Sequence, residues 1–227
     1  MRIFTWAVAA LLLLGSQVNA DIRITEVMSS SGTGGTNDWF EVTNFGNSTV
    51  SLSGWRMDDN SFSITNSVEL LGVTSIAAGE SVVFIENTSS ASTTVDGFKS
   101  FWFGSNVPSG LQVGYYNGSG AGVSLSSSAD SVTLFNGPSP SGTEVFRVSF
   151  GAATAGVTFD NYLGASGSIS DLSSVGVNGA FQSVGVAGPV GNKTPNIGSP
   201  GAVPEPSALG LLAVAGVVAG GMRRKRS

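Results

Sequence analysis

Asp58, Asp59 and Asn60, followed by Ser61, set oxygen-bearing side chains in a row, the donor type a hard cation such as calcium takes. The spacing is not that of a D-x-D-x-D-G loop. Asp and Asn also collect in turns because their side chains hydrogen-bond the local backbone, so a solvated turn is the stronger reading. Two more carboxylates, Glu26 and Glu41, lie in early strand-like segments where they could approach one another. Glycosidase-type chemistry would need such a pair to converge at a cleft, and no pattern in the sequence announces one. Trp39 and Trp55 offer faces on which sugars stack, but large aromatics inside strands mostly bury their area, so core packing comes first. Phe98, Phe101, Trp102 and Phe103 fall in a longer connection, where a hydrophobic cluster under a loop is favoured over a binding patch.

Absences narrow the chemistry further. The chain has no Cys and no His. Thiol catalysis, Cys-based metal sites and a Ser–His–Asp triad are therefore excluded, and the commonest general base is missing. No cofactor is implied. Between Asp21 and Pro204 there are five basic and fourteen acidic residues, a net charge of −9. Nucleic acid requires a clustered basic surface, so it is not an expected partner.

Both ends of the chain carry their own signals. Arg2, the apolar run Ala7 to Leu14 and the small-residue pattern Val18-Asn19-Ala20 make a secretory signal of residues 1–20, with signal peptidase releasing a chain that starts at Asp21. At the other end, Val203-Pro204-Glu205-Pro206 precedes an uncharged stretch from Ala208 to Met222, and Arg223, Arg224, Lys225 and Arg226 follow. Residues 208–222 would span roughly 22 Å as a helix, short of a hydrocarbon core of about 30 Å. Gly and Ala fill eight of its fifteen positions, so the insertion energy is marginal. The basic cluster should stay cytoplasmic, and Pro204 and Pro206 keep the preceding chain extended.

This three-part tail, residues 202–227, resembles the PEP-CTERM sorting signal. The resemblance implies processing by an exosortase and brief membrane attachment through the C-terminal helix. It implies a destination in the cell envelope, then at the cell surface or in the medium. It also implies company with extracellular polysaccharide or other surface proteins.

Residues 21–201 remain as one domain with room for a core. Short β-branched and aromatic runs alternate with Gly, Ser and Asn breaks, the pattern of an all-β sandwich. Strands are expected at Ile22–Met28, Asp38–Asn44, Val50–Met57 with a bulge or close approach at Gly54, and Ser81–Glu86. Later apolar runs lie at Asp130–Phe135 and Val145–Phe150. No amphipathic helix is expected in the body. Asn87 to Gly122 reads as a packed insertion over one end of the sandwich, and Gly151 to Asn196 as irregular edge structure.

Ile24-Thr25-Glu26-Val27, Asp38-Trp39-Phe40-Glu41-Val42-Thr43-Asn44 and Leu52-Ser53-Gly54-Trp55 resemble the opening of a lamin-tail domain. Ile76-Ala77-Ala78-Gly79-Glu80-Ser81-Val82-Val83 and Ser199-Pro200-Gly201 continue the resemblance, with Ala78 where Pro is usual. It implies an immunoglobulin-like β-sandwich. The expected function is a non-catalytic exported surface or matrix protein with an adhesive, structural or scaffolding role. The alternative is a carbohydrate- or calcium-binding module of an exopolysaccharide matrix.

Overall fold

A computed structural model describes residues 20–32, 35–185 and 195–203. The expected signal segment up to Asn19, and the tail from Pro204 with its span and Arg223 to Arg226, lie outside the described residues. Among the described residues, no helix is long and apolar enough to cross a membrane.

The elements in chain order are β1 (Ile22–Met28), β2 (Trp39–Asn44), β3 (Val50–Ser51), β4 (Arg56–Asp58), β5 (Val68–Leu71), β6 (Ser75–Ile76), β7 (Ser81–Glu86), α1 (Ala91–Phe103), β8 (Gln112–Tyr116), β9 (Asp130–Asn136), β10 (Thr143–Phe150), β11 (Phe159–Asp160), β12 (Gly167–Ile169), β13 (Phe181–Gln182) and β14 (Ile197–Gly198). The main ladder runs β11-β1-β2-β7-β8-β5-β4-β9-β10-β12. Strand β5 turns the corner, pairing with β8 through Leu70 and Leu71 and with β4 through Val68 and Glu69. The ladder thereby folds into two layers, and β1 comes to lie against β10. This is the expected β-sandwich.

Alternation builds the core between the layers. In β2, Phe40 and Val42 face inward beside Val82 and Phe84 of β7, and meet Met57, Val132, Leu134 and Val148 from the second layer. Each such side chain contributes about 1.5–3 kcal/mol by leaving water. Trp55 belongs to this cluster at 8 % exposure, so it packs in the core as its sequence position suggests.

The outward residues of β2 and β7 are buried as well, because this sheet carries a cover on its other face. Met28, Trp39, Val83, Ile85 and Val113 form a second apolar cluster with Phe98, Phe101, Trp102 and Phe103 of α1. The aromatic group of the long connection is thus a packed cluster. Its residues lie on a helix, where the sequence predicts none in the body. Ser90 caps α1 with its side chain, accepting from the Thr93 amide, and Gly104 ends it at φ 59°. The signal was faint for physical reasons. The first turn is Ser/Thr-rich, Gly97 interrupts the helix, and its large apolar residues fall in the last six positions. The parallel pairing of β7 with β8 is what requires such a crossover.

The expected third strand, Val50–Met57, is two pieces. Chain between β3 and β4 turns at Gly54, whose φ of 75° belongs to the left-handed region, so the glycine makes a turn and not a bulge.

Candidate functional site

The outer face of β1, β2 and β7 holds the most unusual polar group in the domain. The register between β1 and β2 shifts between Ile24 and Glu26, a β-bulge. The bulge turns Thr25 and Glu26 to the same face, beside Glu41. Glu26 and Glu41 are direct cross-strand partners, and both are buried. Like charges placed opposite each other across two strands repel.

A strap from Asn196 to Ala202 closes over them. Glu26 Oε1 accepts from the Ser199 amide at 2.6 Å and from Thr158 Oγ1 at 2.6 Å. Glu41 Oε2 accepts from the Gly201 amide at 2.5 Å, and its Oε1 accepts from Thr25 Oγ1 at 2.8 Å. One strand further, Ser81 Oγ donates to the Ala202 carbonyl at 2.8 Å. Each of β1, β2 and β7 thus supplies one side chain to one strap residue. Gly198 lets the strap approach, since a Cβ there would lie 2.8 Å from Glu26 Oε1 and 2.9 Å from the Trp102 ring.

Burial pushes the Glu26 carboxyl up to about 7, against the lowering effect of its hydrogen bonds from Thr158 and Ser199. Burial, and then the charge of Glu26, raise Glu41 well above the usual carboxylate range. The side chains that shift them include no cation. Chemically the pair can hold a proton and fasten backbone amides. It is covered, with Glu26 at 0 % and Glu41 at 2 % exposure, so it offers no surface to a substrate.

A second acidic group stands at the far end of the same sheet. Burial, with the charges of Glu86 and Asp130, lifts Asp38 to about 7. Glu86 accepts from Ser124 Oγ at 2.6 Å.

Between α1 and the chain leading into β2 lies a groove of about 370 Å³. Thr36, Asn37, Thr88 and Thr93 line it, over Ile85 and Phe98. No charged residue is in its wall. Gly97 also faces it, and a Cβ there would meet nothing within 4 Å. A helical glycine in open space only weakens the helix, so Gly97→Ala should raise stability by about 0.5–1 kcal/mol. A urea midpoint checks this, and a lower midpoint would show that the glycine serves local packing.

The turn expected at Asp58 to Ser61 is present. Asp58 is buried, and its Oδ2 accepts from Ser61 Oγ and the Ser63 amide, both at 2.7 Å. Asp59 Oδ1 accepts from the Ser61 amide at 3.1 Å. These oxygens are engaged in the turn, Asn60 is exposed, and among the described residues no group of three or more His, Cys, Asp or Glu converges as a metal site. The turn therefore takes up one oxygen each of Asp58 and Asp59, with Asp58 buried and its Oδ1 without a hydrogen-bond partner, and Asn60 in solvent. Trp39 and Trp55 do not form a platform, since they sit in the two different apolar clusters. Of the sorting motif only Val203 is described, and it is 47 % exposed where the strap ends.

The clamp could be read only in part from sequence. Glu26 and Glu41 stood out as carboxylates on neighbouring strands, but nothing local announces partners 173 and 160 residues away. The groove had no signal beyond Gly97 and its hydroxyl-rich flank.

The family model of the lamin tail domain matches residues 16–152, more than half of the chain. That stretch contains β1 to β10 with both clamp glutamates, whereas the strap and Thr158 follow it. No curated protein and no solved structure matches the chain. The strand content, the two-layer core and the matched residues agree, and this chain belongs to the lamin tail domain family.

Proposed function

We propose that this is a non-catalytic exported protein, sorted by an exosortase through a PEP-CTERM tail, with an adhesive, structural or scaffolding role at the surface or in the matrix. The observation that carries the reading is the C-terminal sequence. Val203, Pro204, Glu205 and Pro206 precede a short weakly apolar stretch and the basic stop Arg223 to Arg226. The signal pattern ending at Ala20 is its counterpart at the other end. In support of a non-catalytic role, the body has no His or Cys, and its cross-strand pair Glu26 and Glu41 is sealed under the strap. Fractionation tests the reading in a host with an active exosortase. The full chain should reach the surface or the medium, and a chain with Pro204 and Pro206 changed to Ala should accumulate in the membrane fraction. Equal distribution of the two would refute it.

The groove favours a second reading, carbohydrate binding. Neutral hydroxyl and amide groups over an apolar floor suit an uncharged, hydroxyl-rich ligand. A glycan array probed with the wild type and with Gly97→Trp separates the readings. Binding lost in the variant supports the module, and no binding by either supports the structural role.

A further inference from the structure

We propose that Glu26 and Glu41 form a proton-dependent clamp on Ser199–Ala202, closed while the pair keeps a proton and released when both carboxyls ionise. The inference rests on the fold and not on the sorting reading, and its test does not involve processing.

The geometry isolates these four residues. Upstream, the strap is held by backbone bonds that involve no carboxylate. The Ile197 amide donates to the Gly156 carbonyl at 2.7 Å, the Thr158 amide to the Ile197 carbonyl at 3.1 Å, and the Ser183 amide to the Asn196 carbonyl at 2.8 Å. From Ser199 onward, the side-chain hydrogen bonds to the sheet are those of Glu26, Glu41 and Ser81, beside the buried Pro200. Beyond Ala202 the chain emerges at the half-exposed Val203. The clamp therefore decides whether the chain leaves the domain over β7 or already from Gly198.

Protonation suits the closed state atom by atom. Glu26 Oε2 is buried without a hydrogen-bond partner. A proton on that oxygen removes one of two adjacent buried charges and leaves untouched the hydrogen bonds the pair accepts from Thr25, Thr158, Ser199 and Gly201. The other ionisable group bearing on both carboxyls is Asp160 on β11, whose charge opposes their ionisation. Asp160 has its own partners, the Tyr162 amide and Asn178 Nδ2. Among the described residues no positive charge bears on the pair, and two adjacent buried carboxylates in that setting favour keeping a proton.

The sign follows from burial. Both glutamates favour the proton more when the strap is closed than when it is open and wet. The closing free energy they supply is complete below the ordinary Glu value of 4.5, and is lost as pH rises through the folded value of about 7 for Glu26. Glu41, raised by burial and by the charge of Glu26, adds to the loss with the same sign.

Amide hydrogen exchange on the full-length chain between pH 5 and 8, corrected for intrinsic rates, tests the clamp. Protection at Ser199 and Gly201 should fall as pH rises, by up to about tenfold per pH unit for each proton the closed pair holds over the open one. Near neutral pH it should lie well below the protection of Ile197. Glu26→Gln combined with Glu41→Gln, which keeps neutral acceptors in both places, should flatten the dependence. Protection of Ser199 and Gly201 that does not change with pH would overturn the proposal. So would exchange at Ser199 and Gly201 no faster than at Ile197, because the strap would then open only with the whole domain. A slope that survives in the double glutamine variant would also overturn it. If that variant does not fold, the wild-type comparison with Ile197 decides.

Discussion

Trp102→Ala is expected to destabilise the domain by about 3–5 kcal/mol, the range for deleting a buried aromatic. Trp102 is fully buried and is the hub of the outer layer. Its ring meets Trp39 edge-on at 5.6 Å, Phe101 at 6.0 Å and Phe181 at 5.7 Å. These contacts join α1 to β2 and to β13, so one truncation loosens the helix from the sheet and removes the surface on which Gly198 rests. The three edge-on pairs contribute about 0.5–1.5 kcal/mol each beyond their buried area. Urea unfolding of wild type and variant measures the effect. An unchanged midpoint would mean that α1 is a detachable decoration and not part of the folded unit.

The second large effect is an inverted pH profile. Most domains gain stability from carboxylates that prefer to be ionised when folded; here the shifts go the other way. Glu26 and Asp38 are each raised to about 7, and Glu41 is raised well above its ordinary range, all chiefly by burial. Groups that hold protons more tightly in the folded state stabilise it below their unfolded values and lose that contribution as pH rises through the folded ones. From pH 5 to pH 8 the domain should therefore lose stability, on the order of a few kcal/mol from the Glu26–Glu41 pair taken together, at about 1.36 kcal/mol per pKa unit. Asp38, partly open to water, adds less. Equilibrium unfolding across this range checks the sign. A stability that rises toward pH 8 would contradict it, and Glu26→Gln should remove a large share of the decline.

Strand sequence was legible where a β-branched and aromatic run is bounded by turn residues. Ile22–Met28 and Ser81–Glu86 appear with the expected limits, and Trp39–Asn44 begins one residue later than expected. In β2 the inward Phe40 and Val42 alternate with Trp39, Glu41 and Thr43, whereas in β1 the bulge puts Ile24 and Val27 on the inner side three residues apart. The outer layer was much less legible. Trp39, Glu41 and Thr43 read as the alternate face of a strand, and nothing local says that a helix and a strap will cover them. The helix escaped because Gly97 and a Ser/Thr-rich start lower its propensity, and packing of Phe98 to Phe103 overrides that. The bulge at Thr25 escaped because a register shift is a property of two strands and not of one. Ser199-Pro200-Gly201 resembled a family ending, yet its task is set by side chains more than a hundred residues earlier. Acidic residues were similarly ambiguous. Adjacent Asp58 and Asp59 looked like cation ligands and serve a turn, whereas the separated Glu26 and Glu41 form the buried pair.

The most direct measurement is the intact mass of the protein recovered from the cell surface or medium of a host with an active exosortase. The account predicts a chain that begins at Asp21 and lacks Arg223, Arg224, Lys225 and Arg226. A surface form whose mass includes the complete C-terminus through Ser227 would contradict it.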